Sequence, residues 1–232
     1  MNQARIVLKN VCKQYGESAT RVQALDQVSL QIARAEMVAI VGPSGCGKTT
    51  LLNLLGGLDQ ADEGSVTVDG RDLGLLHERE LTEFRRNQVG FIFQSSNLMP
   101  NLTALQNLRY IAEIVKAPLD PLQELERVGL GDRRDHYPAQ LSGGEQQRVA
   151  IALALVKNPW LILADEPTAA LDEQAGAEVL RLLEQPVRER GCTLIIVTHN
   201  RDITPIADRV VFLRDGRVEK VTSNEHPSVQ RN

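Results

Sequence analysis

The pattern of apolar and polar positions divides the chain into an opening third of short strands, a helical middle and a last third in which helices and strands alternate. Short apolar runs bounded by turn residues predict strands. In the opening third these runs cover residues 6–8, 28–32, 38–41 and 65–68. A helix is predicted after Gly47, over residues 50–55, and a charged stretch of helical character precedes one more strand at residues 89–93.

The middle of the chain has apolar residues at helical spacing. They are Leu102, Leu105, Leu108, Ile111, Ala112 and Val115. Pro118 and Pro121 then interrupt the pattern, and residues 122–128 predict a second short helix. We interpret residues 95–140 as a helical lobe inserted in a single domain that covers residues 1–232.

The last third predicts two helices, at residues 144–155 and 172–190, and two strands, at residues 161–164 and 193–197. Both strands are continuous apolar runs, which is typical of strands covered on both faces. Alternation of such strands with helices indicates an α/β fold with a mostly parallel sheet.

Composition supports this fold class and makes some classes of function less plausible than others. Hydrophobic residues make up 42% of the chain and aromatic residues only 3%, so aliphatic side chains must build the core. The net charge is -4 and no run of Lys and Arg stands out, so we expect no nucleic-acid partner. Residues 1–9 do not have the pattern of a signal peptide, and three widely spaced cysteines indicate a reducing compartment.

The segment after the strand at residues 38–41 matches the phosphate-binding pattern G-x-x-x-x-G-K-[ST]. Its glycines let backbone N–H groups converge on a phosphate, and the N-terminus of the following helix adds the positive end of a dipole. Lys48 would neutralise the terminal phosphates and Thr49 would offer its hydroxyl to Mg²⁺. The predicted nucleotide-binding residues here are Gly42, Pro43, Ser44, Gly45, Cys46, Gly47, Lys48, Thr49 and Thr50.

Cys46 lies inside this loop, where a small spacer is the simplest interpretation of it. A helix N-terminus lowers the pKa of a thiol and makes it more reactive. We therefore expect that bulky alkylation of Cys46 blocks ATP hydrolysis and that bound ATP protects the thiol.

Two acidic residues, Asp165 and Glu166, end the apolar strand at residues 161–164. Ligands of parallel sheets bind beyond the carboxyl ends of the strands. We expect Asp165 to hold Mg²⁺ and Glu166 to orient or deprotonate the attacking water. Acids after a strand are usually solvated loop residues, so this interpretation depends on the phosphate-binding loop upstream.

The segment Leu141-Ser142-Gly143-Gly144-Glu145 precedes the predicted helix at residues 144–155. Ser142 and Glu145 have the spacing of a capping box, which would start this helix. Two consecutive glycines in a first helical turn cost stability. They are explained if the free N–H groups of that turn approach a phosphate closely.

Three segments, in this order and at this spacing, resemble the nucleotide-binding domains of ABC transporters. They are residues 42–49, 141–148 and 161–166, and the resemblance extends over residues 6–221. Further stretches resemble the ATPase subunits of the lipoprotein-release, macrolide-efflux and cell-division group, such as LolD, MacB and FtsE. These stretches are residues 55–59, 89–94, 97–100 and 102–105.

The resemblance implies a P-loop NTPase fold of ABC type, in which an antiparallel β part at the N-terminus accompanies the parallel core and the helical lobe. It implies ATP and Mg²⁺ as cofactors and an ATP-dependent homodimer with two nucleotides between the copies. Lys48, Thr49, Asp165 and Glu166 of one copy would face the segment with Ser142, Gly143, Gly144 and Glu145 of the other.

The resemblance also implies roles for three single residues. Gln94 matches the glutamine that senses Mg²⁺ and the attacking water and relays their state to the lobe. His199 matches the histidine that contacts the γ-phosphate, and Tyr15 matches the aromatic residue that stacks on adenine.

The resemblance further implies a separate transmembrane permease, and the chain would be a peripheral subunit on the cytoplasmic side of the plasma membrane. An exporter or extractor is favoured, while the ATPase of an importer and an FtsE-like regulator of cell-envelope enzymes remain open. A soluble ATPase acting on DNA or ribosomes is disfavoured, because the chain has neither a long coiled coil nor a second such domain. The sequence departs from the closest group at Ala169-Ala170, which stands in place of Gly-Asn.

Overall fold

A computed structural model describes residues 4–17, 20–116, 118–200 and 203–224, and the chain divides into two compact units. The first unit contains residues 1–82 and 193–232, and the second contains residues 83–192. The strands in chain order are β1 Ala4–Tyr15, β2 Val22–Ala33, β3 Met37–Val41, β4 Glu63–Val68, β5 Arg71–Asp72, β6 Val89–Ile92, β7 Leu161–Asp165, β8 Thr193–Thr198, β9 Arg209–Arg214 and β10 Arg217–Ser223. The α-helices are α1 Lys48–Leu55, α2 Glu78–Asn87, α3 Ala104–Ile114, α4 Pro121–Arg127, α5 Gly143–Leu155 and α6 Glu173–Arg190.

The first unit contains an antiparallel sheet in the order β2, β1, β4 and β5. It also contains the strands β10, β9, β3 and β8 in that order, in which β3 pairs in parallel with both β8 and β9. Every residue of β3 and of β8 is buried, which is the reason for their unbroken apolar sequences. The predicted α/β class, with an antiparallel part formed by the N-terminal strands, is confirmed.

The second unit contains the parallel pair β6 and β7 and the helices α3 to α6. Its close packing is visible at Gly90 in β6, where an added Cβ would lie 3.0 Å from the carbonyl oxygen of Ala154 in α5. Asn107 of α3 is buried, accepts a hydrogen bond from the N–H of Met99 and donates to the carbonyl of Leu102. The segment that leads into α3 is therefore fixed by a side chain of that helix.

Lys157 is a partly buried cation that joins two elements of the second unit. Its Nζ donates to the carbonyl of Arg85 in the last turn of α2, at 2.7 Å, and to the carbonyl of Val89 at the start of β6, at 2.6 Å. Burial lowers the pKa of Lys157 from 10.5 to about 8. The ammonium thus satisfies two carbonyl groups but is protonated at a cost in stability.

We expect the stability of the protein to depend on pH through Lys157. Below pH 8 both the folded and the unfolded state carry the proton, so the full cost of the buried charge is present. As the pH rises above the folded-state pKa of about 8, the folded state loses its proton first, and the cost is progressively relieved. Relative to Lys157→Met, the free energy of unfolding of the native protein should rise by about 2 kcal/mol between pH 7 and pH 10. Urea unfolding at both pH values measures this free energy. Equal changes between pH 7 and pH 10 in the native protein and in Lys157→Met would contradict the prediction.

Candidate functional site

The loop between β3 and α1 is pressed against the backbone of the first unit at both of its ends. A Cβ added to Gly42 would overlap the carbonyl oxygen of Leu213 in β9, and one added to Gly47 would overlap the carbonyl oxygen of Ala24 in β2. Gly45 has open space around it but a φ of +79°, a conformation that residues with a Cβ rarely adopt. These contacts and angles give the loop the tight path predicted for a phosphate-binding site.

Lys48 places a positive charge across the loop. Its Nζ donates to the carbonyl oxygens of Gly42 and Pro43, both at 2.9 Å, and only 7% of the residue is exposed. Ser44 and Thr49 are exposed, so the loop is open to solvent on the side of their hydroxyls. The loop therefore combines a fixed ammonium group with accessible groups at a helix N-terminus, an arrangement that suits a phosphate chain.

Cys46 corrects one expectation. Only 4% of the residue is exposed, and burial raises the pKa of its thiol, outweighing the nearby charge of Lys48. The predicted direction of the pKa shift is wrong, because the side chain turns inward, where its Sγ would lie 2.6 Å from a Cβ on Gly42. The expected block of ATP hydrolysis by alkylation stays a prediction. The carbonyl of Cys46 accepts a hydrogen bond from the N–H of Gly216, so the residue anchors the loop.

His199 lies beside the phosphate-binding loop because of the register between two strands. Val41, the last residue of β3, pairs with Thr198, the last residue of β8, so Gly42 and His199 follow neighbouring strand ends. Both residues line one cavity of about 340 Å³. Its other lining residues are Val41, Pro43, Phe212, Leu213, Arg214 and Glu219.

Tyr15 ends β1 and is linked to the same helix that begins at Lys48. The ring is an exposed aromatic side chain, with 41% of the residue accessible. Its hydroxyl donates to Oδ2 of Asp59 at 2.6 Å, and the side chain of Thr50 in α1 is near enough to act on the pKa of the tyrosine. The first unit thus contains Tyr15, the phosphate-binding loop and His199, and the binding of one nucleotide by all three stays a prediction.

Asp165 and Glu166 lie at the carboxyl end of β7 in the second unit. Glu166 has a φ of +47°, in the left-handed region that is uncommon for a residue with a Cβ. The N–H of Ala169 donates to the carbonyl of Glu166 at 3.2 Å, which closes the turn after the strand. Backbone strain of this kind clusters at functional sites, where the surrounding structure holds a side chain in one direction.

Gln94 follows β6 and is exposed, and its neighbours are tied to the helix α5. Nε2 of the buried Gln147 donates to the carbonyl of Phe93 at 3.3 Å, and the hydroxyl of Ser96 donates to Oε1 of Gln146 at the same distance. No pattern in the sequence predicted these contacts. They connect the segment that carries Gln94 to the helix that begins after Ser142.

The capping box predicted for Ser142 is confirmed. Its hydroxyl accepts from the N–H of Glu145 at 3.2 Å, and its own N–H donates to the carboxylate of Glu145 at 2.8 Å. The hydrogen bond from the Ser142 N–H lowers the pKa of Glu145, so the carboxylate is charged at the positive end of α5.

The two glycines after Ser142 differ in their surroundings. Gly143 is exposed and has no atom within 4 Å of an added Cβ, so packing within the chain does not require a glycine there. A Cβ on Gly144 would lie 3.3 Å from the Cβ of Ala175 in α6. Packing within the chain is therefore one reason for Gly144, beside the expected approach of a phosphate.

The chemistry of the expected metal ligands suits Mg²⁺. Thr49 offers a hydroxyl, Asp165 a carboxylate and Gln94 an amide oxygen, all of which are hard oxygen donors. Thr49 and Gln94 are exposed and Asp165 is partly exposed, so these groups are accessible to an ion.

Comparison with known families identifies the class of protein. The model of the ABC transporter family matches residues 25–169, a range that includes the phosphate-binding loop, Gln94, Ser142 and the acids after β7. The chain belongs to this family, and it is an ATP-binding and ATP-hydrolysing domain of the ABC type. In the described part of the chain, no helix combines the length and the apolar character needed to cross a bilayer.

Individual relatives place the chain more closely within the family. An uncharacterised ABC transporter ATP-binding protein of Methanocaldococcus jannaschii is 45% identical over 93% of this chain and 98% of its own length. The macrolide export ATP-binding/permease protein MacB of Escherichia coli K12 is 47% identical over 91% of this chain. The chain spans about a third of the length of MacB, since the match covers 33% of that protein.

Solved structures agree with the sequence relatives. The ATP-binding cassette MJ0796, in a dimeric post-hydrolysis state bound to ADP and Pi, has a TM-score of 0.87 and is 41% identical, with 94% of this chain and 98% of that chain covered. This neighbour is a dimer that holds the products of ATP hydrolysis, the assembly and the reaction predicted from the sequence.

Proposed function

We propose that the chain is the motor subunit of an ABC exporter or extractor, which closes as an ATP-bound homodimer and drives a separate membrane permease. The observation that carries this proposal is the phosphate-binding loop, in which Lys48 is held by Gly42 and Pro43 at the N-terminus of α1. The dimeric neighbour with ADP and Pi supports hydrolysis between two copies. The MacB relatives, whose names join macrolide export and a permease, support the direction of transport.

The residues of each unit take separate parts in this reaction. In the first unit the loop N–H groups and Lys48 bind the phosphates, the ring of Tyr15 stacks on the base and His199 contacts the γ-phosphate. In the second unit Glu166 orients the attacking water and takes its proton. A Mg²⁺ ion held by Thr49, Gln94 and Asp165 would neutralise charge on the β- and γ-phosphates.

Ser142 and the glycines after it serve the partner's nucleotide in this proposal. A two-fold axis places the same segment on both copies and creates two equivalent composite sites. Ser142 and Gly143 are exposed, which supports a role in contact with another molecule. ATP binding and hydrolysis then shift the population between closed and open dimers.

We expect Ser142→Arg to block closure, because its long side chain would be buried against the partner's γ-phosphate. ATP binding to the monomer should survive, since the phosphate-binding loop is unchanged. Mixing this variant with Lys48→Ala tests the role in trans. A mixed dimer has one site with both defects and one with neither, so ATPase activity should return although each parent is inactive. Normal hydrolysis and dimerisation by Ser142→Arg alone would refute the assignment.

The permease is expected to dock on the lobe that follows Gln94. Tyr110 and Ile114 lie one turn apart on α3, and each is 49% exposed, which supports an apolar contact surface there. We expect Tyr110→Ser/Ile114→Ser to reduce capture of the membrane partner at least 10-fold while ATP hydrolysis by the isolated subunit persists. Leu75→Ser is the matched control, because this leucine is 81% exposed and lies in the first unit.

Crosslinking in native membranes, followed by mass spectrometry of the captured chain, identifies the partner. A permease with a large extracytoplasmic domain supports the exporter or extractor and places the subunit on the cytoplasmic face of the membrane. A permease that co-purifies with a solute-binding protein indicates an importer. Capture of cell-wall enzymes without a transported substrate indicates an FtsE-like regulator.

A further inference from the structure

Asp59, two residues after the turn that ends α1, accepts hydrogen bonds from three groups of the first unit. Its Oδ1 accepts from Nζ of Lys13 at 2.8 Å and from the N–H of Gln60 at 2.7 Å. Its Oδ2 accepts from the hydroxyl of Tyr15 at 2.6 Å. Both carboxylate oxygens therefore accept hydrogen bonds. One of them holds the Tyr15 side chain, whose ring we expect to stack on the nucleobase.

The ionisation states of Asp59 and Tyr15 also favour the hydrogen bond between them. Burial by itself would raise the pKa of Asp59, but the hydrogen bonds from Lys13 and Tyr15 outweigh it and hold the pKa below its ordinary value. Burial and the hydrogen bond to Asp59 raise the pKa of Tyr15. At neutral pH Asp59 is consequently a carboxylate and Tyr15 a protonated donor, which makes their hydrogen bond charge-assisted.

The cluster also fixes the position of the ring relative to the phosphate-binding loop. The hydroxyl of Tyr15 donates to Asp59, which follows α1 in the chain, and it lies near Thr50, which adjoins Thr49 in α1. Nζ of Lys13 lies over the ring, 5.2 Å from its centroid. An exposed tyrosine would otherwise sample several rotamers and would lose that freedom on binding a base.

We propose that Asp59 is a positioning residue that holds Tyr15 as a preordered stacking surface for the nucleobase. This inference rests on the proposed function, in which Tyr15 stacks on the base. Because the Tyr15 hydroxyl donates to Asp59, the ring offers an aromatic face and no polar group to the edge of the base. Tyr15 therefore contributes affinity for a nucleobase without distinguishing adenine from guanine.

The test compares ATP with inorganic triphosphate, which carries the phosphates but no base. Calorimetry measures both affinities for the native protein and for Asp59→Ala, Tyr15→Phe, Tyr15→Ala and the double variant Asp59→Ala/Tyr15→Phe. We expect Tyr15→Ala to weaken ATP binding by about 10-fold, as for the loss of one stacking contact. Asp59→Ala and Tyr15→Phe should each weaken it about threefold to tenfold, with no further loss in the double variant. Triphosphate affinity should be unchanged in all of them.

Asp62→Ala is the matched control. Its carboxylate lies 3.6 Å from Nζ of Lys13 and accepts from the N–H of Gln14, whereas the Tyr15 hydroxyl donates to Asp59. We expect its affinity for ATP to equal that of the native protein. The same loss in Asp62→Ala and Asp59→Ala would assign the effect to the local fold and overturn the inference.

The outcomes separate this inference from the proposed function. Weaker ATP binding in Tyr15→Ala but not in Asp59→Ala overturns the positioning role and leaves the stacking role intact. Unchanged ATP binding in Tyr15→Ala overturns the stacking role of Tyr15 and the inference with it. Failure of the native protein to bind either ligand overturns the proposed function itself. GTP should show the same losses as ATP in every variant, and a loss confined to ATP contradicts the absence of base discrimination.

Discussion

We expect Glu166→Gln to slow ATP turnover strongly and to leave nucleotide binding intact. Glu166 follows β7 in a left-handed backbone conformation, with its N-terminal neighbour Asp165 assigned to the metal ion. An amide of nearly the same shape keeps the local packing but cannot accept the proton of the attacking water. General-base catalysis contributes about 100-fold to 10,000-fold, so we expect turnover to fall by a factor in that range. The variant also carries one negative charge fewer beside the phosphates.

The expected product of this change is a stable dimer in the presence of Mg²⁺ and ATP. Gel filtration with and without ATP detects it, and phosphate release under single-turnover conditions gives the rate of hydrolysis. Glu173→Gln is the control, because Glu173 is an exposed acid in the first turn of α6. Turnover of the Glu166 variant at the native rate would remove Glu166 from the reaction.

We expect Lys48→Ala to abolish tight binding of ATP. The ammonium group of Lys48 is held by the carbonyls of Gly42 and Pro43 and is buried in the loop, so it is placed for the phosphates before ATP arrives. Hydrogen bonds to charged groups contribute about 1.5–3 kcal/mol each. The loss of two such bonds from Lys48 to the phosphates corresponds to at least about 100-fold in the affinity for ATP.

Calorimetry with ATP and a matched lysine control measures this loss. Lys9→Ala removes an exposed lysine of β1 and should bind ATP like the native protein. Thermal unfolding of both variants without nucleotide reports whether the loop substitution disturbs the fold. Native affinity of Lys48→Ala for ATP would contradict the assignment of the loop as the phosphate site.

The sequence predicted those elements whose signal is local. The buried strands β3 and β8 are unbroken apolar runs, and they lie where the pattern placed them. The pattern did not reveal β10, because most of its residues are exposed and it pairs only at one edge, with β9. A strand of that kind obtains its structure from its partner and has little apolar signal of its own.

The site residues also divide into those with a local sequence signal and those that depend on distant parts of the chain. The phosphate-binding loop and the capping box of Ser142 follow from residues adjacent in sequence, and both were predictable. The pKa of Cys46 was predicted in the wrong direction, because the local motif does not show that this side chain turns inward and is buried. The hydrogen bond from Tyr15 to Asp59 joins residues 44 positions apart, and its only trace in the sequence was an acid after a glycine-rich turn.

The close contacts of Gly42 and Gly47 with the carbonyl oxygens of Leu213 and Ala24 bear on protein engineering. β2 and β9, which are distant from the loop in sequence, provide the backbone against which its eight residues pack. Transplanting those residues onto an unrelated strand and helix would keep the loop sequence but lose its contacts with β2 and β9. A grafted loop should therefore relax, and a designer who wants its affinity for phosphate must import β2 and β9 as well.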